Sequence, residues 1–141
     1  MKSRVRTSVI VVRNDQLLAF LAVDPTSGRE YFFLPGGKIE ADEAAPEAAE
    51  RETLEETGYR VKVDPAVNVD REYLFHWNGE DFECLTIFYW ATLASPMQST
   101  VHDAAYNKGT HWVPVAEIPA IFSYNSEILS AIQEIIHKKI E

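Results

Sequence analysis

Cysteine and basic residues are scarce in this sequence, and both shortages exclude classes of protein. Cys84 is the only cysteine, so an internal disulfide is impossible and the chain suits a reducing compartment. Lysine and arginine number 13 against 22 aspartates and glutamates, which gives a formal net charge of −9. Surfaces that bind nucleic acid or anionic membranes need an excess of cationic side chains. We therefore expect neither partner, and a phosphate-bearing substrate would need to be neutralised locally, by metal.

The sequence also lacks a long apolar run. The run from Val9 to Val12 is followed at once by polar residues, so it is too short for a signal-peptide core or a membrane span. We therefore expect a cytoplasmic protein. A length of 141 residues with 46% hydrophobic residues is enough for one sizeable core. Without an internal repeat or linker, the expectation is one domain over residues 1–141.

The N-terminal third alternates apolar and polar segments in a way that predicts strands. The runs Thr7 to Val12 and Leu17 to Val23 flank a polar turn, which favours a hairpin. The aromatic run from Tyr31 to Leu34 predicts a short strand that leads directly into the turn Pro35-Gly36-Gly37. A buried sheet is therefore expected to begin here and to end at a glycine turn.

A helix rich in glutamate is predicted after this turn. It should begin near Ala44 or Ala45, with Pro46 in its first turn, and end at Gly58, which suits a left-handed terminal position. Helical spacing places three carboxylates on one face, those of Glu52, Glu55 and Glu56. Two interpretations follow: a solvated acidic face in which Arg51 pairs with Glu55, or a site for a divalent cation such as Mg²⁺, which prefers oxygen ligands.

The second half of the chain predicts a long hairpin and a closing helix. A strand from Val67 to Trp77 meets the turn signal Asn78-Gly79, and the return strand from Phe82 to Ala94 is apolar enough to be covered on both faces. The polar connection Ser95 to Lys108 is long enough to serve as a lid over an active site. Asn125 is predicted to open the last helix, whose apolar stripe belongs to the core.

The segment from Gly37 to Tyr59 resembles the Nudix box, G-x5-E-x7-R-E-U-x-E-E-x-G-U, in which U is aliphatic. The matching positions are Gly37, Glu43, Arg51, Glu52, Glu55, Glu56 and Gly58. Thr53 and Tyr59 depart from the aliphatic positions, but no carboxylate is lost. The match of seven fixed positions is highly specific, and it favours the metal site over the solvated face.

The resemblance implies an α/β fold, an α/β/α sandwich with a mixed β-sheet between helices. It also implies metal-dependent hydrolysis of a nucleoside diphosphate linked to another group. Family members place Mg²⁺ or Mn²⁺ on glutamates that match Glu52, Glu55 and Glu56, helped by a backbone carbonyl that here would be Gly36. Because dimers are common in the family, a homodimer is among the expectations.

The resemblance leaves the residue that activates water open. It implies either a glutamate of the box, here Glu52 or Glu55, or an acid from a distant loop, for which Asp103 is the first candidate and Glu83 the second. Arg51 is expected to hold a catalytic glutamate through a two-pronged ion pair, as its family equivalent is thought to do, while Glu43 holds the turn to the helix.

Substrate choice is the least determined expectation. Asn125 resembles the base-reading Asn of MutT-type enzymes, although a plain helix cap is the more common role of an Asn at such a position. Arg4, Arg6, Arg29 and Lys38 are candidates for phosphate contact. Aromatic residues in the strands could stack a base, although they more often form core. The prediction is a pyrophosphohydrolase that converts a (deoxy)nucleoside triphosphate to the monophosphate and pyrophosphate. The alternatives are dinucleoside polyphosphates, ADP-ribose or nucleotide sugars as substrates, or a nucleotide-binding sensor without turnover.

Overall fold

The computed structural model describes residues 1–140, which form eight strands and three α-helices. The strands are β1 (Lys2–Ile10), β2 (Val12–Arg13), β3 (Gln16–Val23), β4 (Glu30–Phe33), β5 (Gly36–Lys38), β6 (Tyr59–Trp77), β7 (Glu80–Gln98) and β8 (Asn107–Pro114). The helices are α1 (Ala45–Thr57), α2 (Ile118–Ile121) and α3 (Ser126–Ile140). Within residues 1–140, no helix combines the length and the apolar character that crossing a membrane requires.

The strands form two four-stranded sheets. The first has the order β5-β1-β7-β6, in which β1 and β7 run parallel and the outer pairs are antiparallel. In the second, β3 pairs antiparallel with β2, β4 and β8. The expected mixed sheet is therefore present, and the expected return strand, β7, is an interior strand of it.

Helices α1 and α3 lie on opposite faces of the first sheet. Alternate residues of β7 show the division, because Phe88 and Trp90 belong to the core on the α3 side, whereas Tyr89 and Ala91 belong to the core on the α1 side. Side chains alternate across a strand, so a strand covered on both faces reads as nearly continuous apolar sequence. This arrangement confirms the α/β/α architecture.

The predicted helix α1 and the turn at Asn78-Gly79 are confirmed, whereas β6 begins at Tyr59 rather than Val67. The predicted N-terminal hairpin is confined to β2 and the start of β3, because β1 belongs to the other sheet. Helix α1 ends at Gly58, which adopts the left-handed conformation with φ 78°, and the hairpin turn has positive φ at both Asn78 and Gly79, 50° and 75°.

The predicted connection Ser95 to Lys108 is wrong in extent. Strand β7 continues to Gln98 and β8 begins at Asn107, so only residues 99–106 connect them. Polar composition concealed the outer end of β7, which pairs with β6, and the first residues of β8, which pairs with β3.

Candidate active site

Side chains from distant strands hold the C-terminal end of α1, which carries the carboxylates. The last carbonyls of a helix have no partner within it. Here the carbonyl of Thr57 accepts hydrogen bonds from Gln98 Nε2 at 2.9 Å and Thr110 Oγ1 at 3.1 Å. The carbonyl of Glu56 accepts one from Asn107 Nδ2 at 3.0 Å. The position of the carboxylates is therefore set by β7 and β8 as well as by the helix.

The glycine turn packs directly against these carboxylates. The Gly36 N–H donates to Glu56 Oε1 at 2.7 Å, across a separation of 20 residues. A Cβ atom added to Gly37 would lie 2.6 Å from Glu52 Cδ and 2.8 Å from its Oε2. Only glycine leaves room for the Glu52 carboxylate at this point. The two motifs that the sequence placed next to each other thus meet in space through Glu52 and Glu56.

Arg51 donates hydrogen bonds to three glutamates, and its strongest contact differs from the expected one. Its two-pronged ion pair is with Glu43, at 2.7 Å from Nε and 3.0 Å from Nη2. Nη1 donates to Glu52 at 3.0 Å and to both carboxylate oxygens of Glu55, at 3.2 and 3.4 Å. The expectation that the fork holds a catalytic glutamate is therefore corrected. The fork joins α1 to the preceding turn, where Glu43 Oε1 also accepts the Glu40 N–H at 3.0 Å.

Burial sets the protonation behaviour of the carboxylates. Withdrawal from water raises the pKa of Glu56 well above its usual range, and this outweighs the opposing effect of the Gly36 hydrogen bond. Burial also raises the pKa of Glu52, although Arg51 acts in the opposite direction. The pKa of Glu43, in contrast, is lowered by its hydrogen bonds from Arg51 and from the Glu40 backbone. Burial therefore favours the neutral forms of the half-buried Glu52 and of the buried Glu56, a cost that a bound cation would offset.

The carboxylate oxygens of Glu52, Glu55 and Glu56 are the type of ligand that a hard divalent cation prefers. Carboxylates crowded into a buried site gain most from a cation, and Mg²⁺ and Mn²⁺ prefer such oxygen ligands. Across residues 1–140, no three or more His, Cys, Asp or Glu side chains are arranged to hold a metal ion as they stand. Arg51 Nη1 occupies oxygens of Glu52 and Glu55, so a cation would compete with it for them. Among Glu52, Glu55 and Glu56, the side chain of Glu55 is the most exposed, at 51%.

A cavity of about 420 Å³ opens beside Glu56. Such a volume falls within the range of small-molecule sites, roughly 300–1,000 Å³. Both sheets contribute to its wall, and the ring-bearing residues that line it are Phe20, Phe33, Tyr73, Phe75, Trp77, Phe82, Phe88, Tyr106 and Tyr124. Phe33 and Trp77 lie 5.1 Å apart between ring centroids, so the rings form one continuous surface. The carboxylate cluster thus meets a compartment suited to a flat, apolar-faced ligand.

Of the predicted substrate contacts Arg4, Lys38 and Asn125, only Arg4 lines this cavity. It does so with its guanidinium 3.7 Å from the centroid of the Phe82 ring. Lys38 is exposed outside it, and its carbonyl accepts Arg51 Nη2 at 3.1 Å. Asn125 acts as the cap of α3, because Oδ1 accepts the N–H groups of Glu127 and Ile128 at 3.0 and 3.1 Å. Base reading by Asn125 stays a prediction that requires its amide to leave this cap.

Sequence reasoning missed Asn107, and it named Arg6 only as one of several candidates for phosphate contact. Asn107 donates to Asp103 Oδ2 at 3.0 Å as well as to the carbonyl of Glu56, which brings the loop acid close to the carboxylates. Arg6 lines the cavity on β1 and has Tyr73 as a neighbour from β6, two strands away in the sheet. No short motif surrounds either residue. Only a correct pairing of β1 with β7, and of β8 with β3, would have found them.

Comparison with known proteins gives one family and one fold. The family model described as the NUDIX domain matches residues 2–133. A Nudix hydrolase from Nitrosomonas europaea is similar in structure, with a TM-score of 0.73 at 21% identity over 98% of this chain and 90% of that one. An Ap4A hydrolase from C. elegans gives a TM-score of 0.71 at 14% identity over 99% and 98%. No curated protein matches the chain.

A third similar structure is that of an enzyme named for yet another substrate. An ADP-ribose pyrophosphatase from Streptococcus suis gives a TM-score of 0.65 at 13% identity, covering 98% of this chain and 92% of that one. At these identities the structural likeness establishes the fold alone. The different substrates of the similar structures show that substrate choice must be argued from the residues of the cavity.

Proposed function

Because this chain belongs to the Nudix family and is a hydrolase acting on phosphoric anhydride bonds, we propose that it converts a (deoxy)nucleoside triphosphate to the monophosphate and pyrophosphate with Mg²⁺ or Mn²⁺. The observation that carries the proposal is the meeting of Glu52, Glu56 and the glycine turn at the edge of an aromatic cavity. The cavity suits the base, and the carboxylate end suits the phosphates.

The chain's own residues have distinct roles in this proposal. Glu52, Glu55, Glu56 and the carbonyl of Gly36 would hold the cation. When bound, the cation would neutralise diphosphate charge and lower the pKa of a coordinated water. Glu52 or Glu55 accepts the proton of the attacking water, since both side chains are more exposed than that of Glu56. Arg51 positions them through Nη1, while its fork to Glu43 fixes the guanidinium.

The aromatic wall supplies binding energy away from the reacting bond. Trp77 and Phe75 lie nearly parallel, with centroids 6.4 Å apart, and Tyr106 meets Trp77 edge-on at 5.6 Å. Stacking of a base on aromatic rings contributes about 1–3 kcal/mol in nucleic-acid recognition. This energy orients the triphosphate so that its anhydride bond lies at the carboxylates.

A substrate panel tests the proposal. Nucleoside triphosphates, diadenosine polyphosphates, ADP-ribose and nucleotide sugars are compared by kcat/KM with one metal, and the products are separated by chromatography. We expect the triphosphates to be preferred and to yield monophosphate and pyrophosphate. Preference for a two-nucleoside substrate or ADP-ribose would replace the proposed substrate class. Release of a nucleoside diphosphate and orthophosphate would refute the proposed bond cleavage.

A further inference from the structure

Arg6 is a cavity arginine whose donors are largely unused. Arg51 and Arg71 each pair with carboxylates, and Arg4 stacks on the Phe82 ring. Among the described residues 1–140, no carboxylate forms an ion pair with Arg6. Its side chain is half-buried and lines the cavity, where Tyr73 and the carboxylate of Glu56 are its electrostatic neighbours. A guanidinium carries five N–H donors in a planar fork, and no carboxylate in the described part of the chain uses them within ion-pair distance.

The strand geometry places Arg6 in the aromatic part of the cavity. Ser8, Arg6 and Arg4 alternate on one face of β1, with successive side chains roughly 6.6 Å apart. Ser8 is the member next to the glycine turn, since its Oγ lies 2.8 Å from a Cβ added to Gly36. Arg6 is therefore one step further from the carboxylates. Its neighbours on the next strands are Tyr73 and Cys84, which also line the cavity.

Tyr73, the neighbour of Arg6 in the cavity wall, is itself held in place. Tyr73 Oη lies 2.7 Å from Thr86 Oγ1, and Thr86 is the residue opposite Arg6 in the parallel pairing of β1 with β7. Thr86 is completely buried. Arg6 therefore has a fixed neighbour on this side, and a ligand in the cavity can reach its guanidinium from the other.

We propose that Arg6 determines base specificity by donating two parallel hydrogen bonds to O6 and N7 of a 6-oxopurine, so that guanine and hypoxanthine nucleotides are the preferred ligands. The inference rests on the proposed function for its nucleotide, and it adds the base. A guanidinium fork matches the adjacent O6 and N7 acceptors of guanine, which is the commonest specific contact of arginine with a base.

The other bases meet the same fork less well. On the edge that corresponds to O6 and N7 of guanine, adenine and cytosine present an exocyclic amino group, which is a donor and opposes the arginine donors, and uracil presents O4 without a neighbouring acceptor. Oxidation of guanine at C8 converts N7 from an acceptor to an N–H donor. The same geometry therefore disfavours 8-oxoguanine relative to guanine, and it separates this chain from enzymes that prefer the oxidised base.

Binding of nucleoside monophosphates without metal tests the inference apart from hydrolysis. GMP, IMP, AMP, CMP, UMP and 7-deaza-GMP are titrated against the full chain, with calorimetry or the fluorescence of the cavity residue Trp77 as the readout. We expect GMP and IMP to bind tightest. Arg6→Gln should weaken the binding of GMP by about 10- to 100-fold, which is the contribution of a good bidentate pair, and leave the binding of AMP nearly unchanged. The native protein should bind 7-deaza-GMP, which lacks the N7 acceptor, more weakly than GMP by part of the same factor. Arg6→Gln should bind 7-deaza-GMP and GMP almost equally.

Two controls keep the result interpretable. Arg60→Gln removes an exposed arginine from β6 and should leave every dissociation constant unchanged. Arg6→Lys keeps the positive charge and loses the fork, so it should lose the preference for GMP while folding as the native chain does. The 7-deaza comparison on the native protein needs no variant at all.

Two outcomes would overturn the inference. Equal weakening of all monophosphates by Arg6→Gln would make Arg6 a phosphate contact, and equal binding of GMP, AMP and 7-deaza-GMP by the native protein would show that the fork reads no base. Failure of the proposed function has a different signature. In that case no triphosphate is hydrolysed in the substrate panel, while the Arg6-dependent preference for GMP in binding persists.

Discussion

Arg51 shows how one residue can organise an active site without touching the reacting bond. Its guanidinium joins the turn at Glu43 to the carboxylates of Glu52 and Glu55. These contacts offset the repulsion of like charges at helical spacing, which costs roughly 0.2–0.5 kcal/mol per pair. Partners that hold a metal ligand in place commonly matter nearly as much as the ligand itself.

Replacement of Arg51 by lysine should weaken metal binding more than it weakens the fold. Lysine keeps the charge but cannot reach Glu43, Glu52 and Glu55 together, because it lacks the planar fork. We expect the concentration of Mg²⁺ needed for half-maximal activity to rise roughly 10- to 100-fold. Measurement of kcat across a metal titration checks this. An unchanged Mg²⁺ requirement would show that Arg51 is only a surface ion-pair residue.

Two glycines at the site should respond differently to alanine. In Gly37→Ala the new methyl group meets the end of the flexible Glu52 side chain, so Glu52 moves, and kcat/KM should fall while the melting temperature changes little. In Gly58→Ala it meets the backbone carbonyl of Ser99 at a left-handed φ of 78°. The left-handed conformation alone costs a non-glycine residue about 1–2 kcal/mol.

Thermal unfolding and steady-state kinetics of both variants separate these effects. Gly58→Ala should lower the melting temperature clearly. A Gly37→Ala variant that keeps full kcat/KM would contradict the close packing of Glu52 against the glycine turn.

At the scale of elements, local sequence predicts α1 and the hairpin turn but not the partners of α1. Pro46, Gly58 and the spacing of the glutamates specify the helix because each acts within one or two turns. The turn at Asn78 is specified in the same local way. Arg6 and Asn107 reach the site only through pairing between strands far apart in sequence. No local sequence rule specifies which distant strands pair. The outer end of β7 was mispredicted as part of a connection for the same reason.

Asp24 joins the loop after β3 to the β6–β7 turn at the rim of the cavity. Its Oδ1 accepts the N–H groups of Thr26 and Ser27, and its Oδ2 accepts that of Asn78. Burial would raise the pKa of Asp24, but these backbone hydrogen bonds outweigh it and lower the pKa. A lowered folded-state pKa adds stability above the ordinary aspartate pKa of about 4 and loses it as the pH falls through the folded-state value.

Stability measured against pH should reveal this contribution. The free energy of unfolding of the native chain should fall more steeply than that of Asp24→Asn as the pH decreases from about 5 to about 3. Urea unfolding at several pH values gives both curves. Asp42→Asn, at an exposed position, is the matched control and should follow the native curve. If the free energy of unfolding depends on pH in the same way for the native chain and for Asp24→Asn, the ionised Asp24 carboxylate does not stabilise this loop as described.

At the scale of the whole molecule, a chain of net charge −9 could accept the proposed triphosphate only where positive charge is concentrated. Arg4 and Arg6 line the cavity, and the carboxylates beside it are suited to gather a cation. The fold class, the reaction class and the carboxylates could all be predicted from one short motif. The cavity could not, since its wall combines residues from both sheets and from the segment before α3. Substrate choice therefore belongs to the assembled molecule.

The metal dependence of turnover in native protein and Glu56→Gln tests the central claim most directly. Glutamine keeps an oxygen that can accept the Gly36 N–H, so the fold is retained while the buried charge is lost. Glu72→Gln, at an exposed position in β6, is the control and should match the native protein. We expect Mg²⁺-dependent release of pyrophosphate from the native protein and a loss of roughly 10²-fold in kcat/KM for Glu56→Gln, the size of a lost electrostatic contact in a transition state. Turnover that persists without divalent metal, or that Glu56→Gln leaves unchanged, would contradict the account.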